Sequence, residues 1–243
     1  MNIYDQIIEG LINRTGTAKP VKYTYDPEDT WETSDHYELI LQKDTAFELG
    51  GMGKTAVNFT CVTDKSDFFS GDEILIYGKE LCELKEDSSY ARVTIILTDD
   101  INSDASDTEA LYRTVQSMDF VKYHVFPKGY MMRTSSQNNR EQVRISKKAL
   151  RNGLSFRHIG NVFIKNYKKN KLIKNVKVLF ITAGNADYEG LKKDAVLVND
   201  ITKSLSKILE GMPADCSSCG LKDICDEVEG LRELHFGQNG GNS

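Results

Sequence analysis

Strand-like runs crowd the first hundred residues of this chain and helical patterns dominate the last hundred. This order, with some alternation near the end, predicts an α+β (mixed α/β) fold: helices packed on a central, mostly β sheet, with a small Cys-rich appendage at the C-terminus. Two further features support it. "VKVLFIT" at 176–182 is apolar enough to be a strand buried on both faces. Three long segments carry apolar residues at helical spacing. A chain of 243 residues has room for one large domain or two small ones. The expected division is 1–212 for the α+β domain and 213–243 for the appendage and a flexible tail.

Taken in order, residues 1–14 place Ile3, Tyr4, Ile7, Ile8, Leu11 and Ile12 on one side of a helix that ends before Gly16. Extended pieces are expected in "VKYTY" and, beyond the turn-rich "DPEDTWETSD", in "YELILQ". "AVNFTCV", "EILIYG" and "ARVTIILT" are β-branched or aromatic runs bounded by turn residues, and read as strands. The segment 99–120 opens with turn chemistry and becomes helical, with Leu111, Val115 and Met118 on one face. "VRIS" is a short strand, "KKALRNG" a helical turn closed by Gly153, and "FRHIGNVFIKNYKK" a helix built on Ile159, Val162, Phe163 and Tyr167. Residues 189–211 form a long helix closed by Gly211.

Composition narrows the function. The apolar fraction of 40% and the charged fraction of 28% are those of an ordinary globular protein. No apolar run is long enough to span a membrane, and the N-terminus has no basic region or cleavage site of a secretory signal, so a cytoplasmic protein is expected. The net charge is −5, unevenly spread: 140–177 holds 12 Lys+Arg against one acid, Glu141. A pI near 5.5 and the lack of an aromatic-interleaved basic motif argue against nucleic acid. The basic segment is either a solvated surface or a patch for an anion or an acidic partner.

"GGMGKT" at 50–55 invites a nucleotide-binding reading. A P-loop needs glycine at position 48, where this chain has Glu48, and a helix after the lysine, where it has the strand-like "AVNFTCV". The stretch is expected instead to be a β-hairpin turn, with Gly50 and Gly51 supplying positive φ. Near the C-terminus, Cys216, Cys219 and Cys225 follow the spacing C-x2-C-x5-C, which brings thiolates to one metal or cluster. His235 would complete a zinc site. Asp215, Cys61 or Cys82, or a group from outside the chain, would complete an iron–sulfur cluster. Free thiols remain the plain alternative.

Several stretches, in order, resemble the β subunit of the archaeal-type carbon monoxide dehydrogenase/acetyl-CoA synthase complex, whose bacterial counterpart is acetyl-CoA synthase. They are "FELGG", "EILIYGKEL", "ARVTIIL", "VRISKKALRNGLSFRHIGNVFIKNYKK" and "VKVLFIT". The fourth is the most specific. The resemblance covers roughly Thr45 to Thr182 and corresponds to the region before that enzyme's metal-cluster domain. It implies one-carbon and acetyl-CoA metabolism in an anaerobic setting, with iron–sulfur favoured over zinc at the three cysteines. It also implies coenzyme A as a ligand, with Arg144, Lys147, Lys148, Arg151 and Arg157 as candidates for its phosphates. His158 is a further phosphate donor to consider. Lys165, Lys168, Lys169, Lys171 and Lys174 suit an acidic partner better. No Cys-x-Cys motif for a second nickel is present, so the expectation is a relative of one domain, related to CO-methylating acetyl-CoA synthase, and not a complete synthase; no catalytic residue is assigned. The alternative is a metal-cluster accessory or electron-transfer module that docks on a corrinoid protein or a carbon monoxide dehydrogenase subunit.

Overall fold

The structure, a computed structural model, describes residues 3–16, 19–51, 53–98, 107–135 and 139–209. The first half runs α1 (Asp5–Arg14), β1 (Val21–Thr24), β2 (Thr33–Ser34), β3 (Thr45–Leu49), β4 (Ala56–Thr63), β5 (Glu73–Tyr77) and β6 (Tyr90–Thr98). The second half runs α2 (Asp107–Tyr123), β7 (Phe126–Pro127), β8 (Tyr130–Ser135), β9 (Arg140–Ser146), α3 (Lys147–Arg151), α4 (Phe156–Tyr167), β10 (Ile173–Ile181) and α5 (Tyr188–Leu209). The fold is α+β, as expected.

A five-stranded mixed sheet, in the order β1-β5-β10-β6-β4, forms the centre. β10, which carries "VKVLFI", lies in the middle, parallel to β5 and antiparallel to β6. Every residue of β4, β5 and β6 is buried. Strands covered on both faces tolerate the near-continuous apolar runs seen in the sequence. α4 packs on β5 and β10: Phe156 stacks on Phe180 at 4.5 Å, and a Cβ on Gly160 would come within 2.6 Å of Ile74. α1 and α5 pack over β4, with Asp5 of α1 accepting the Thr63 hydroxyl at 2.8 Å. Among the described residues, no helix is long and apolar enough to cross a membrane.

A second, antiparallel sheet in the order β3-β9-β8 meets the first beside β4, and β2 pairs with β7. The two main sheets are clasped by a polar network closed off from solvent. Glu141 of β9 accepts from Arg92 of β6 at 2.6 and 3.1 Å, from Asn58 of β4 at 2.6 Å and from Tyr90 at 3.2 Å. The Tyr90 hydroxyl lies 2.6 Å from that of Tyr130 on β8. The Arg92 guanidinium lies 3.7 Å from the ring centroid of Phe163 on α4. Burial alone would favour loss of the Arg92 proton, but the Glu141 carboxylate holds the charge in place. Burial also drives the phenols of Tyr90 and Tyr130 well above their ordinary range, so both stay neutral.

Three local expectations are corrected. "YELILQ" is not a strand; β3 starts later, at Thr45. "GGMGK" does not close a hairpin, because β3 pairs with β9 while β4 pairs with β6, so the turn passes from one sheet to the other. Its positive φ values fall at Gly50 (70°) and Gly53 (79°), not at Gly51. Gly51 is required for space: a Cβ there would collide with the Glu48 side chain. β8 had no counterpart in the sequence reading. Gly211, the cysteines at 216, 219 and 225, and the tail lie outside the described residues, as does the side chain of Leu111.

Candidate functional site

The most family-specific stretch folds as β9, α3 and α4 in immediate succession. Ser146 ends β9 and caps α3, its hydroxyl accepting from the amides of Lys148 and Ala149. Gly153, at φ 93°, turns the chain out of α3, and Ser155 caps α4 by accepting from the His158 amide at 3.2 Å. The Glu80 carboxylate closes that helix end from outside, accepting from the amides of Phe156 at 2.6 Å and Leu81 at 2.7 Å. Burial pushes the Glu80 carboxyl up, against the pull of these two bonds.

Around the first turn of α4 lies a dense set of polar and aromatic groups. Arg157 Nε lies 2.7 Å from the Asp29 carboxylate, an ion pair without hydrogen-bond alignment, and His158 Nε2 lies 3.3 Å from the same carboxylate. His158 Nδ1 lies 2.8 Å from Ser155 Oγ, and its ring packs at 5.2 Å on Trp31. Asn161 is fully buried; it donates to the Asp29 carbonyl at 2.6 Å and accepts from the Asp26 amide at 3.2 Å. The loop 26–31 is thereby strapped to α4. The Arg157 guanidinium also approaches Asp26 at 3.7 Å and lies 5.5 Å from the Tyr23 ring.

The five cations expected to meet coenzyme A therefore divide in two. Arg157 is paired with Asp29. Arg144 sits on β9 directly across from Glu48 on β3, to which it donates at 2.6 Å, and it also reaches the Ile40 carbonyl at 3.2 Å. Gln142 donates to the same Glu48 at 2.8 Å. Lys147, Lys148 and Arg151, by contrast, are exposed on the five-residue α3, and of these Lys147 bonds the Lys43 carbonyl at 3.0 Å. Lys147 and Arg151 are four residues apart and share one side of the helix. Sequence reasoning missed Glu48, Asp26, Asp29 and Glu80 as partners of this region. Each lies more than seventy residues from the group it meets, so no local spacing could have signalled it.

Among the described residues no group of three His, Cys, Asp or Glu side chains could hold a metal. Cys61 is shut inside the core on β4, its thiol pushed up by burial, which makes it a poor candidate for a fourth ligand to a C-terminal centre. Cys82 is exposed, in the turn that Glu80 fastens to α4.

At "GGMGKT" a strand follows the lysine, and Glu48 is committed to Arg144 and Gln142. Lys54 is exposed. Lys54→Ala should accordingly shift stability by no more than about 0.5 kcal/mol, as at an ordinary surface position. Isothermal titration with Mg-ATP is expected to give no heat of binding; tight binding that vanishes in the variant would restore the P-loop.

Fold and face together define an α+β protein whose second sheet delivers a short, cation-bearing helix to the surface beside a strapped helix N-terminus. Residues 32–186 match the family "CO dehydrogenase/acetyl-CoA synthase complex beta subunit", and the chain belongs to that family. The matched range runs from β2 through β10 and stops short of the C-terminal cysteines. No curated protein matches the chain.

Proposed function

We propose that this protein serves acetyl-CoA and one-carbon metabolism as a relative of one domain of the synthase β subunit. In this reading it binds coenzyme A, or a subunit of the carbon monoxide dehydrogenase/synthase complex, and does not assemble the acetyl group alone. The family match across the whole β2–β10 region is the observation that carries it. Lys147, Lys148 and Arg151 on α3 are the first contacts for the coenzyme's phosphates, because they are exposed and near one another. Arg144 and Arg157 contribute by exchanging Glu48 and Asp29 for phosphate, or by holding the surrounding loops in place. Cys216, Cys219 and Cys225 hold an iron–sulfur cluster, or zinc, that supplies electron transfer or structural closure.

Titration of coenzyme A and 3′-dephospho-coenzyme A into the wild type and Arg151→Lys tests the reading. A bidentate charge-assisted contact is worth about 1.5–3 kcal/mol. Arg151→Lys should therefore weaken binding by roughly tenfold or more, since an ammonium cannot reproduce the planar fork. The existing ion pairs of Arg144 and Arg157 favour a second reading, in which the face docks an acidic corrinoid or dehydrogenase subunit. That reading predicts strong salt dependence with little response to Arg→Lys. No binding of either compound at millimolar concentration would remove the coenzyme and leave the docking surface.

A further inference from the structure

α2, the C-terminal turn of α4 and the start of β10 enclose an open groove of about 430 Å³. Its floor is apolar: Met118, Val121, Val125 and Ile173 line it. Phe120 stands at its edge, 58% exposed and stacked on His124, and Leu172, next to Ile173, is 48% exposed. Large apolar side chains exposed together over an apolar hollow mark an interaction surface. Asp119, the acid beside the groove on α2, is paired with Lys122 at 2.7 Å, while the α4–β10 rim carries cations. Lys165, Lys169 and Lys171 are all exposed, and none has a carboxylate partner among the described residues.

The chain carries a segment with the complementary pattern. Residues 213–243 hold six Asp and Glu against one Lys and one Arg. Within them Leu221, Ile224, Val228, Leu231 and Leu234 recur at three- and four-residue steps, with acids between. The point of departure is close by. Ser206, near the end of α5, accepts the Tyr112 hydroxyl of α2 at 3.2 Å, so Leu209 leaves the described structure alongside the helix that floors the groove. Tyr112 and Val121 are nine residues apart on α2, about 14 Å along a helix. The stretch from Leu209 to Leu221 can span up to about 40 Å.

We propose that the acidic amphipathic segment 221–235 of this chain docks intramolecularly in the α2–α4 groove. Its apolar residues cover Met118, Val121 and Ile173, and its carboxylates lie over Lys165, Lys169 and Lys171. The cysteines at 216, 219 and 225 are thereby held against the body of the protein, at the end of the basic segment opposite α3.

Hydrogen exchange on the intact, anaerobically prepared chain tests this. Amides of 224–235 should exchange at least about tenfold more slowly than expected for an open chain. The double variant Lys169→Glu, Lys171→Glu should abolish that protection while leaving β10 and β6 unchanged, which reports that the fold is intact. Adding Glu227→Lys and Glu229→Lys to that variant should restore it. Unprotected amides in the wild type, or protection indifferent to the lysine reversals, would overturn the proposal. So would protection that grows with protein concentration, because a second copy would then fill the groove.

Discussion

Glu141→Leu should be the most destabilising single substitution in the protein. It leaves the Arg92 charge fully buried with no counter-ion and strips acceptors from Asn58 and Tyr90 as well. Breaking a buried pair in this way costs about 3–5 kcal/mol. For a chain of this size each kcal/mol lowers Tm by about 2–4 °C, so thermal unfolding followed by circular dichroism should move down by roughly 6–20 °C. The double variant Arg92→Met, Glu141→Leu should recover part of the loss, since two apolar groups need no partner. A Tm within about 2 °C of wild type for Glu141→Leu would mean that the network is not what joins the two sheets. The consequence reaches the candidate site, because β9 carries Glu141 near its start and delivers α3 at its end.

Cys219→Ser should remove any metal held at the C-terminus. Protein prepared without oxygen is expected to contain near-stoichiometric iron with visible charge-transfer absorption, or near-stoichiometric zinc without it, and the variant neither. The substitution exchanges a soft thiol ligand for a neutral hydroxyl, and only three cysteines lie in this stretch of sequence. Cys61→Ser should leave the metal content unchanged, because that thiol lies inside the core. Colourless, metal-free wild type from an iron- and zinc-replete anaerobic preparation would sink the metal centre altogether.

Two residues of the sheet clasp were visible in the sequence without their meaning being so. Arg92 is the only charge in "YARVTIILT", and Glu141 is the only acid among the 38 residues from Arg140 to Lys177. A lone charge in a buried strand and a lone acid in a basic stretch each call for a partner. What joined them was the packing of β9 against β4 beside β6. "YELILQ" failed for the opposite reason. Its apolar residues are locally strand-like, but Leu39 and Leu41 are exposed and only Ile40 is buried, so tertiary context overrode propensity. At "GGMGK" the glycines announced a turn correctly. The pairing partners of the flanking strands lie far along the chain, and no local pattern reports a change of sheet.

By itself the sequence determined the α+β class, the strands 56–62, 73–77 and 91–98, the central strand at 176–181, the helices at both termini of the described chain, and the family. These follow from periodicity, run length and motif order, which are properties of neighbouring residues. Tertiary structure alone decided which cations stand free and which are spent. Arg144 and Arg157 looked equivalent to Arg151 in sequence, yet strand register sets Glu48 across from Arg144, and the loop bearing Asp29 folds back on Arg157, while nothing in the described chain covers Arg151. The physical reason is that an ion pair depends on distance in space, and strand register and loop path, neither of them local, determine that distance.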